Sequence, residues 1–353
     1  MITIKNVKTS AGTIVNHTID NSNSQVIDGE RRLLMIPTMI DIDAIMKTDL
    51  NENITNRYIA AGITTIFDAE ARSAEEMLKR QEQTTKQPSP LRVHYFYKGN
   101  NPNEFSLIGK IKQSVAGIKI SFDLAEKPIA APHTSALDRI FQIAAQENMI
   151  VVIALLQGKG DTKEQRKTAS THVEHAIKLA EKYSTELCLQ HVRTKEELAL
   201  IKEAKQRGQL VYTEVAYPHL FITEKDFPNG MILNGPVLFL PNDDDQNALW
   251  EGIRSGAVDM IGSSGILLSP PELLLPLLLQ AHEEKKISLD KIIEITRVNQ
   301  EAIFRLPQNH DVVLIDPAGN QTIPEELLAH NSAFSQWKDK IFSWKIAHVV
   351  TGN

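Results

Sequence analysis

The side chains able to do chemistry in this sequence stand at the ends of apolar runs. Asp41-Ile-Asp43 follows one run, Lys119 lies in Gly117-Ile-Lys-Ile120, and His191 closes Leu187-Cys-Leu-Gln-His. Glu214 and His219 share Glu214-Val-Ala-Tyr-Pro-His219, and Ser263-Ser264 follow Ile261-Gly262. Carboxylates, imidazoles and an amine gathered at strand ends are the groups that metal-assisted hydrolysis uses. For that task the set is incomplete. A single strand-end imidazole does not fix a zinc ion, which takes several protein ligands.

Each group also has a plainer reading. His191 fits a core histidine hydrogen-bonded to backbone, and Glu214 and His219 are residue types common where a strand meets a loop. Neither Ser263 nor Ser264 has a base at a diagnostic spacing that would make it a nucleophile. Asp243-Asp-Asp245 reads as a solvated N-cap for a helix from Gln246 rather than as a carboxylate site. Cys188 reads as a small apolar core residue.

The elements that would position these groups alternate in kind. Apolar β-rich runs occupy residues 64–67, 91–97, 117–120, 150–156, 187–191, 210–215 and 258–261, with one more at 35–41. Between them, segments of helical period rich in Glu, Lys, Ala and Leu cover 74–83, 135–147, 170–183, 194–206 and 245–255. Thr194 with Glu197 has the capping-box spacing that opens a helix directly after His191. Eight such strands imply an α/β fold, a closed (β/α)8 TIM-type barrel over 35–310 whose functional groups collect where strands end. Residues 1–34 carry short strands with turns at Gly12 and Gly29, and residues 311–353 hold Asp311-Val-Val-Leu-Ile-Asp316 and Ala347-His-Val-Val-Thr-Gly352. These two ends are expected to form a small composite β-sandwich beside the barrel.

Several segments, in order along the chain, resemble dihydroorotase, of the amidohydrolase superfamily. Val26-Ile-Asp28 through Ile40-Asp41 is similar to the family's lead-in to the first barrel strand, Ala61-Gly-Ile-Thr-Thr65 to its second strand, and Gly117-Ile-Lys-Ile120 to its Gly-Ile-Lys segment. Leu189-Gln-His191-Val-Arg-Thr-Lys-Glu196 resembles its His-Val-Ser-Thr-x-Glu element. Glu214-Val-Ala-Tyr-Pro-His219-Leu-Phe-Ile-Thr223 resembles its Glu-Val-Thr-Pro-His-His-Leu-x-Leu-Thr element. Asn234-Gly-Pro236, Ala248-Leu-Trp-Glu-Gly252 and Gly256-Ala-Val-Asp259 follow in the expected order.

The resemblance implies a barrel of the metal-dependent amidohydrolase kind, in which zinc at the C-terminal strand ends polarises a carboxamide and activates water. By the same resemblance, most of that centre is missing here. Asp43 and Ile45 stand where the family has His-x-His, Val152-Ile-Ala-Leu-Leu-Gln157 lacks the next histidine, and Ser264 occupies the position of the catalytic Asp. Only His191 matches a histidine ligand. Lys119 matches a lysine that bridges the metals after carboxylation in some branches and has no such role in others. The Arg and Asn that grip the substrate carboxylate match Lys47 and Ala71, and lysine keeps the charge without the bidentate fork. Leu238 stands for the arginine after Asn-Pro-Pro, and Gly265 and Leu268 for the loop histidines. Asp41 matches a residue that braces the strand end. What the resemblance leaves is a remnant site of Asp43, Lys119, His191, Glu214 and His219, with substrate contacts from Lys47 and Asn234. No metal or other cofactor is expected, zinc entering only if an atypical site binds it.

Composition serves mainly to exclude. A chain of 353 residues, 42% hydrophobic and 23% charged, suits one large core. A net charge of -6 and a pI near 6.0 give no basic footprint for nucleic acid or an anionic membrane. With one cysteine there is no disulfide framework, which fits a reducing cytoplasmic setting. The N-terminus lacks a signal pattern, and the apolar run 266–279, interrupted by Pro270, Pro271 and Pro276, is too short to span a bilayer. The expectation is an oligomeric, cytoplasmic dihydroorotase-like pseudoenzyme of pyrimidine biosynthesis that is a structural partner of aspartate transcarbamoylase. Two other readings stay open: an active dihydroorotase or other cyclic-amide hydrolase with an atypical metal site, and a non-catalytic small-molecule binding protein.

Overall fold

The computed structural model describes residues 1–44, 46, 50–69, 71, 73–99, 101–122, 131–155, 162–227, 231–232, 237–265, 269–328 and 332–352. Eight strands follow one another around a barrel: Met39–Ala44, Ile63–Asp68, Arg92–Lys98, Gly117–Phe122, Val151–Leu155, Leu187–Gln190, Val211–Ala216 and Met260–Gly262. Each pairs in parallel with the next. A side chain joins the first strand to the last, because Asp41 accepts from the Ser263 backbone N–H at 3.0 Å and from the Ser263 hydroxyl.

Ile, Val, Thr, Phe and Tyr dominate the strands, and their branched or aromatic side chains suit a pleated surface. A barrel strand lies between an interior and a helical layer, so both faces are buried. Alternation sorts the side chains. Ile40, Ile42, Phe67, Phe96, Val152, Cys188 and Met260 form the interior cluster. Ile63, Ile66, Tyr95, Ile153 and Leu189 join the larger cluster shared with the helices. Ile303 and Phe304 close the interior from below, with the Phe304 ring centroid 4.9 Å from that of Phe67 and 5.6 Å from that of Phe96.

Outside the barrel run the helices Glu52–Ala60, Ala74–Lys86, Ala131–Glu147, Thr162–Tyr183, Lys195–Gln206, Asp243–Ser255 and Leu274–Glu283. Thr194 and Glu197 make the capping box that their spacing predicts. Two of the helices, Glu52–Ala60 and Leu274–Glu283, escape the sequence pattern. Leu274–Glu283 is masked by its prolines, yet Pro276 falls in the first turn, where the missing N–H has no intrahelical partner to lose. Of the expected solvated N-terminal acids Asp243-Asp-Asp245, Asp243 and Asp244 are exposed in the first turn, but Asp245 is not solvated and the cap is another residue. Asn242 caps the helix in a capping box with Asp245, and Asp245 is fully buried because Arg166 grips both its oxygens, at 2.6 and 2.8 Å.

The expected strand over 35–41 is two strands. Leu34–Pro37 pairs antiparallel with Val312–Gln321, whereas Met39–Ala44 opens the barrel. Thr38 marks the change of sheet: its N–H reaches Asp311 at 3.1 Å and its hydroxyl meets that of Thr64 at 2.6 Å. The first of these strands belongs to a six-stranded sheet with Ile2–Lys8, Ile14–Ile19, Gln25–Asp28, Val312–Gln321 and Phe342–Val350. Ile4, Val7, Ile19, Leu33 and Leu314 are among the residues of its apolar cluster. Among the described residues no helix is long and apolar enough to cross a membrane.

Candidate functional site at the barrel mouth

Five strand ends deliver the groups of interest to one place. Asp43 ends the first strand, where a register shift between Asp41 and Ala44 interrupts the alternation. Lys119 comes from the fourth strand, His191 follows the sixth, Glu214 lies on the seventh and Ser264 follows the eighth. All five are buried.

The Lys119 ammonium donates to Asp43 Oδ1 at 3.0 Å. His191 Nε2 lies 3.1 Å from Asp43 Oδ2 but is not aligned for a hydrogen bond. On the other side of that ring, Nδ1 is 3.4 Å from Ser264 Oγ. Glu214 Oε2 accepts the His191 backbone N–H at 2.8 Å, whereas Oε1 has no hydrogen-bond partner among the described residues. Gly262 lies against the acids: a Cβ there would stand 2.7 Å from Glu214 Oε1, 3.3 Å from Asp43 Cβ and 3.4 Å from Asp41 Oδ1. No larger residue fits at Gly262 without moving one of them. Gln190 Nε2 donates across the barrel to the Ile42 carbonyl at 3.0 Å, holding the sixth strand end against the first. His191 and Ser264 have φ of 62° and 61°. A non-glycine residue in this left-handed region carries on the order of 1 kcal/mol of strain.

Burial and charge act differently on the two acids. Burial pushes the Asp43 carboxyl up, but the pull of His191 and Lys119 outweighs it and holds the group below the usual carboxylate range. Glu214 is pushed up to about 7, chiefly by burial, against the lowering influence of His191 and with a raising one from Asp43. Asp41 is also raised by burial, which its bonds from Ser263 oppose.

The other candidates are placed as follows. His219 is buried in the turn Pro218–Phe221, and neither of its ring nitrogens has a hydrogen-bond partner among the described residues. Burial, with Arg193 and His191 nearby, keeps its pKa well below the ordinary value, so the ring is neutral. Ala71 is buried, and Leu238 ends the short strand Val237–Leu238. Lys47 and Asn234, with Ile45 and Leu268, lie outside the described residues.

The described residues at the mouth do not fit a metal ion. Among the described residues no group of three or more His, Cys, Asp or Glu side chains is arranged to hold one. Asp43 is engaged by an ammonium, and a second cation beside it would be repelled. Ser264, His191 and Asp43 stand in the order of a nucleophile, its base and an orienting acid. The relay is loose in this geometry. The serine contact of 3.4 Å exceeds the ~2.6–3.2 Å reach of such pairs, the imidazole is misaligned with Asp43, and Ser264 is fully buried. Two plainer readings also change. The His191 ring faces Asp43 and Ser264, not backbone, and a base for Ser264 is near in space although far in sequence.

Arg193 went unread in the sequence. It is fully buried, donates to the Leu155 carbonyl at 2.7 Å and lies 4.4 Å from the Phe239 ring centroid, with burial pulling its pKa down to about 10. An arginine in His191-Val-Arg-Thr, where the family pattern has serine, was the available signal.

No family model matches the sequence. The multifunctional protein CAD of Squalus acanthias is 30% identical over 188 residues, which are 49% of this chain and 8% of that protein. The dihydroorotase of Brevibacillus brevis is 24% identical over 294 residues, 69% of this chain and 68% of that one. Among solved structures, the L-hydantoinase (dihydropyrimidinase) from Arthrobacter aurescens superposes with a TM-score of 0.78 at 16% identity, covering 99% of this chain and 96% of that one. The inactive dihydroorotase-like domain of the Chaetomium thermophilum CAD-like multifunctional protein gives 0.70 at 19% identity, covering 91% and 94%. At such identities the structural likeness establishes the fold. This chain is therefore similar in sequence to dihydroorotases and carries a (β/α)8 barrel like that of these hydantoinase and dihydroorotase-like structures.

Proposed function

We propose that this chain is a dihydroorotase-like protein of pyrimidine biosynthesis that does not hydrolyse a substrate and acts, as a homo-oligomer in the cytoplasm, as a structural partner of aspartate transcarbamoylase. One observation carries the non-hydrolytic part: Asp43, at the family's first ligand position, is bound to the Lys119 ammonium, and Ser264 stands where the catalytic Asp would be. Support for the partnership comes from likeness to stretches of multifunctional proteins and from a solved neighbour that is itself named an inactive domain of such a protein. Purified protein supplied with zinc should turn over neither dihydroorotate nor carbamoyl aspartate, and any turnover above a blank refutes the first part. Gel filtration of this chain co-expressed with aspartate transcarbamoylase from the same source should give a shared peak. A transcarbamoylase that is active and fully assembled without this chain removes the second part.

Binding without turnover has one observation in its favour. Glu214 Oε1 and both His219 nitrogens are buried and lack partners among the described residues, and buried polar groups are normally satisfied. Thermal-shift titration with dihydroorotate, carbamoyl aspartate and related carboxylates tests this reading, and no response across the set disposes of it.

A further inference from the structure

The misfit between this barrel mouth and a metal ion has a definite form. The carboxylate at its centre already has a cation, and that cation is part of the chain. Lys119 reaches Asp43 from the fourth strand at 3.0 Å, across the barrel from the first. Its side chain is 7% exposed, that of Asp43 is fully buried, and the ammonium lies 5.9 Å from the Phe96 ring centroid. An ion pair so deep in the fold is held by geometry and by mutual need, since either charge left alone there would be strongly unfavourable.

We propose that the Lys119 ammonium is the resident cation of the barrel mouth, supplying in covalent form the positive charge that a divalent ion supplies in a metal-dependent barrel. It neutralises Asp43, ties the first strand to the fourth, and excludes both a metal ion and carboxylation of its own amine. The exclusion follows from charge alone. A carboxylated lysine is an anion, so at this position it would place a second negative charge beside the buried Asp43 carboxylate and remove the ammonium that neutralises it. A zinc ion bound to Asp43 would meet the ammonium at similar range. The chain thus carries a lock in place of a cofactor, and the mouth needs no ion to fold.

This rests on the non-hydrolytic reading above, but its failure can be told apart from the failure of that reading. The main experiment is a double-mutant cycle on the full chain in EDTA, with Asp43→Asn, Lys119→Met and the pair together, read by thermal unfolding. Each single variant should lose about 5–10 °C in Tm, because it strands one buried charge. The double variant should be no worse than the poorer single. Additive losses, or a Lys119→Met protein as stable as the unaltered chain, would overturn the proposal. The unaltered chain gives a second readout if a variant fails to fold. Supplied with 13C-bicarbonate it should show no carbamate resonance, and zinc should neither bind stoichiometrically nor raise its Tm. A carbamate signal or a stoichiometric zinc overturns the lock, even if turnover stays at zero and the scaffold reading survives. Conversely, turnover in a zinc-free protein with strong coupling in the cycle would sink the scaffold reading and leave the lock in place.

Discussion

At the lower end of the barrel, where strands begin, Arg297 donates to the carbonyl and hydroxyl of Thr38 and to the Asn309 carbonyl, and pairs with Glu301 at 2.8 Å. Asn299 donates to the Asp259 carbonyl, Arg92 pairs with Asp311, and Phe304 fills the space under Phe67 and Phe96. At the upper end, Glu214 Oε1 and the His219 nitrogens go unpartnered among the described residues, two non-glycine residues have positive φ, and buried acids crowd Gly262. Strain alone does not separate the two ends, since Asn148, Ser184 and Arg305 near the strand starts also have positive φ; the lower end pairs its charges, whereas the upper end gathers buried acids and imidazoles that are only partly matched among the described residues.

The contrast can be tested from its strongest point downward. Replacing Arg297 with Met strands the carbonyls it binds and leaves Glu301 without its partner, so unfolding by urea should show a loss of about 3–5 kcal/mol. A loss below about 1 kcal/mol would mean that the lower end is not the stabilising one. The next test is pH. Glu214 has a folded pKa of about 7 against an ordinary 4.5, so the stability linked to it is fully present below 4.5 and is lost as pH rises through 7. At ~1.4 kcal/mol per pKa unit this amounts to roughly 3–4 kcal/mol. Glu214→Gln should remove that slope, and equal slopes in variant and parent between pH 4.5 and 8 would refute it. Asp43 works in the opposite sense. Its depressed pKa contributes stability above the ordinary carboxylate value that is lost as pH falls below it, outside the Glu214 window.

A smaller effect is expected where the barrel closes. Ser263→Ala removes the hydroxyl bonded to the buried Asp41 carboxylate and should cost about 1–3 kcal/mol. Ser264→Gly should go the other way. Relief of about 1–2 kcal/mol of left-handed strain, less roughly 0.5–1 kcal/mol of added backbone entropy, leaves a gain of about 0.5–1 kcal/mol in chemical unfolding. A destabilised Ser264→Gly protein would mean that this end is held by contacts rather than strained.

Local signals carried most of the architecture. Thr194 and Glu197 announced their helix because a capping box is a matter of four consecutive residues, and the Gly117-Ile-Lys-Ile120 strand announced itself through β-rich, period-two composition. Where the signal was ambiguous, tertiary partners decided. Prolines around Leu274–Glu283 looked like breaks until Pro276 fell in a first turn, and residues 35–41 looked like one strand until Val312–Gln321 took the first half. Asp245 looked solvated because the Arg166 that buries it lies 79 residues away.

The same division holds at the site. Residue identity, set beside the dihydroorotase pattern it resembles, determined that Ser264 is no carboxylate base and that Asp43 and Ile45 are no histidine pair, since an absent functional group cannot be supplied by folding. Only the tertiary structure decided what Asp43 does instead. Its partner Lys119 lies 76 residues along the chain, and the Ser264 that faces His191 is 73 residues from it. Such pairings follow from the parallel winding of eight strands around one axis, which brings their C-terminal ends to a common mouth however far apart they are in sequence.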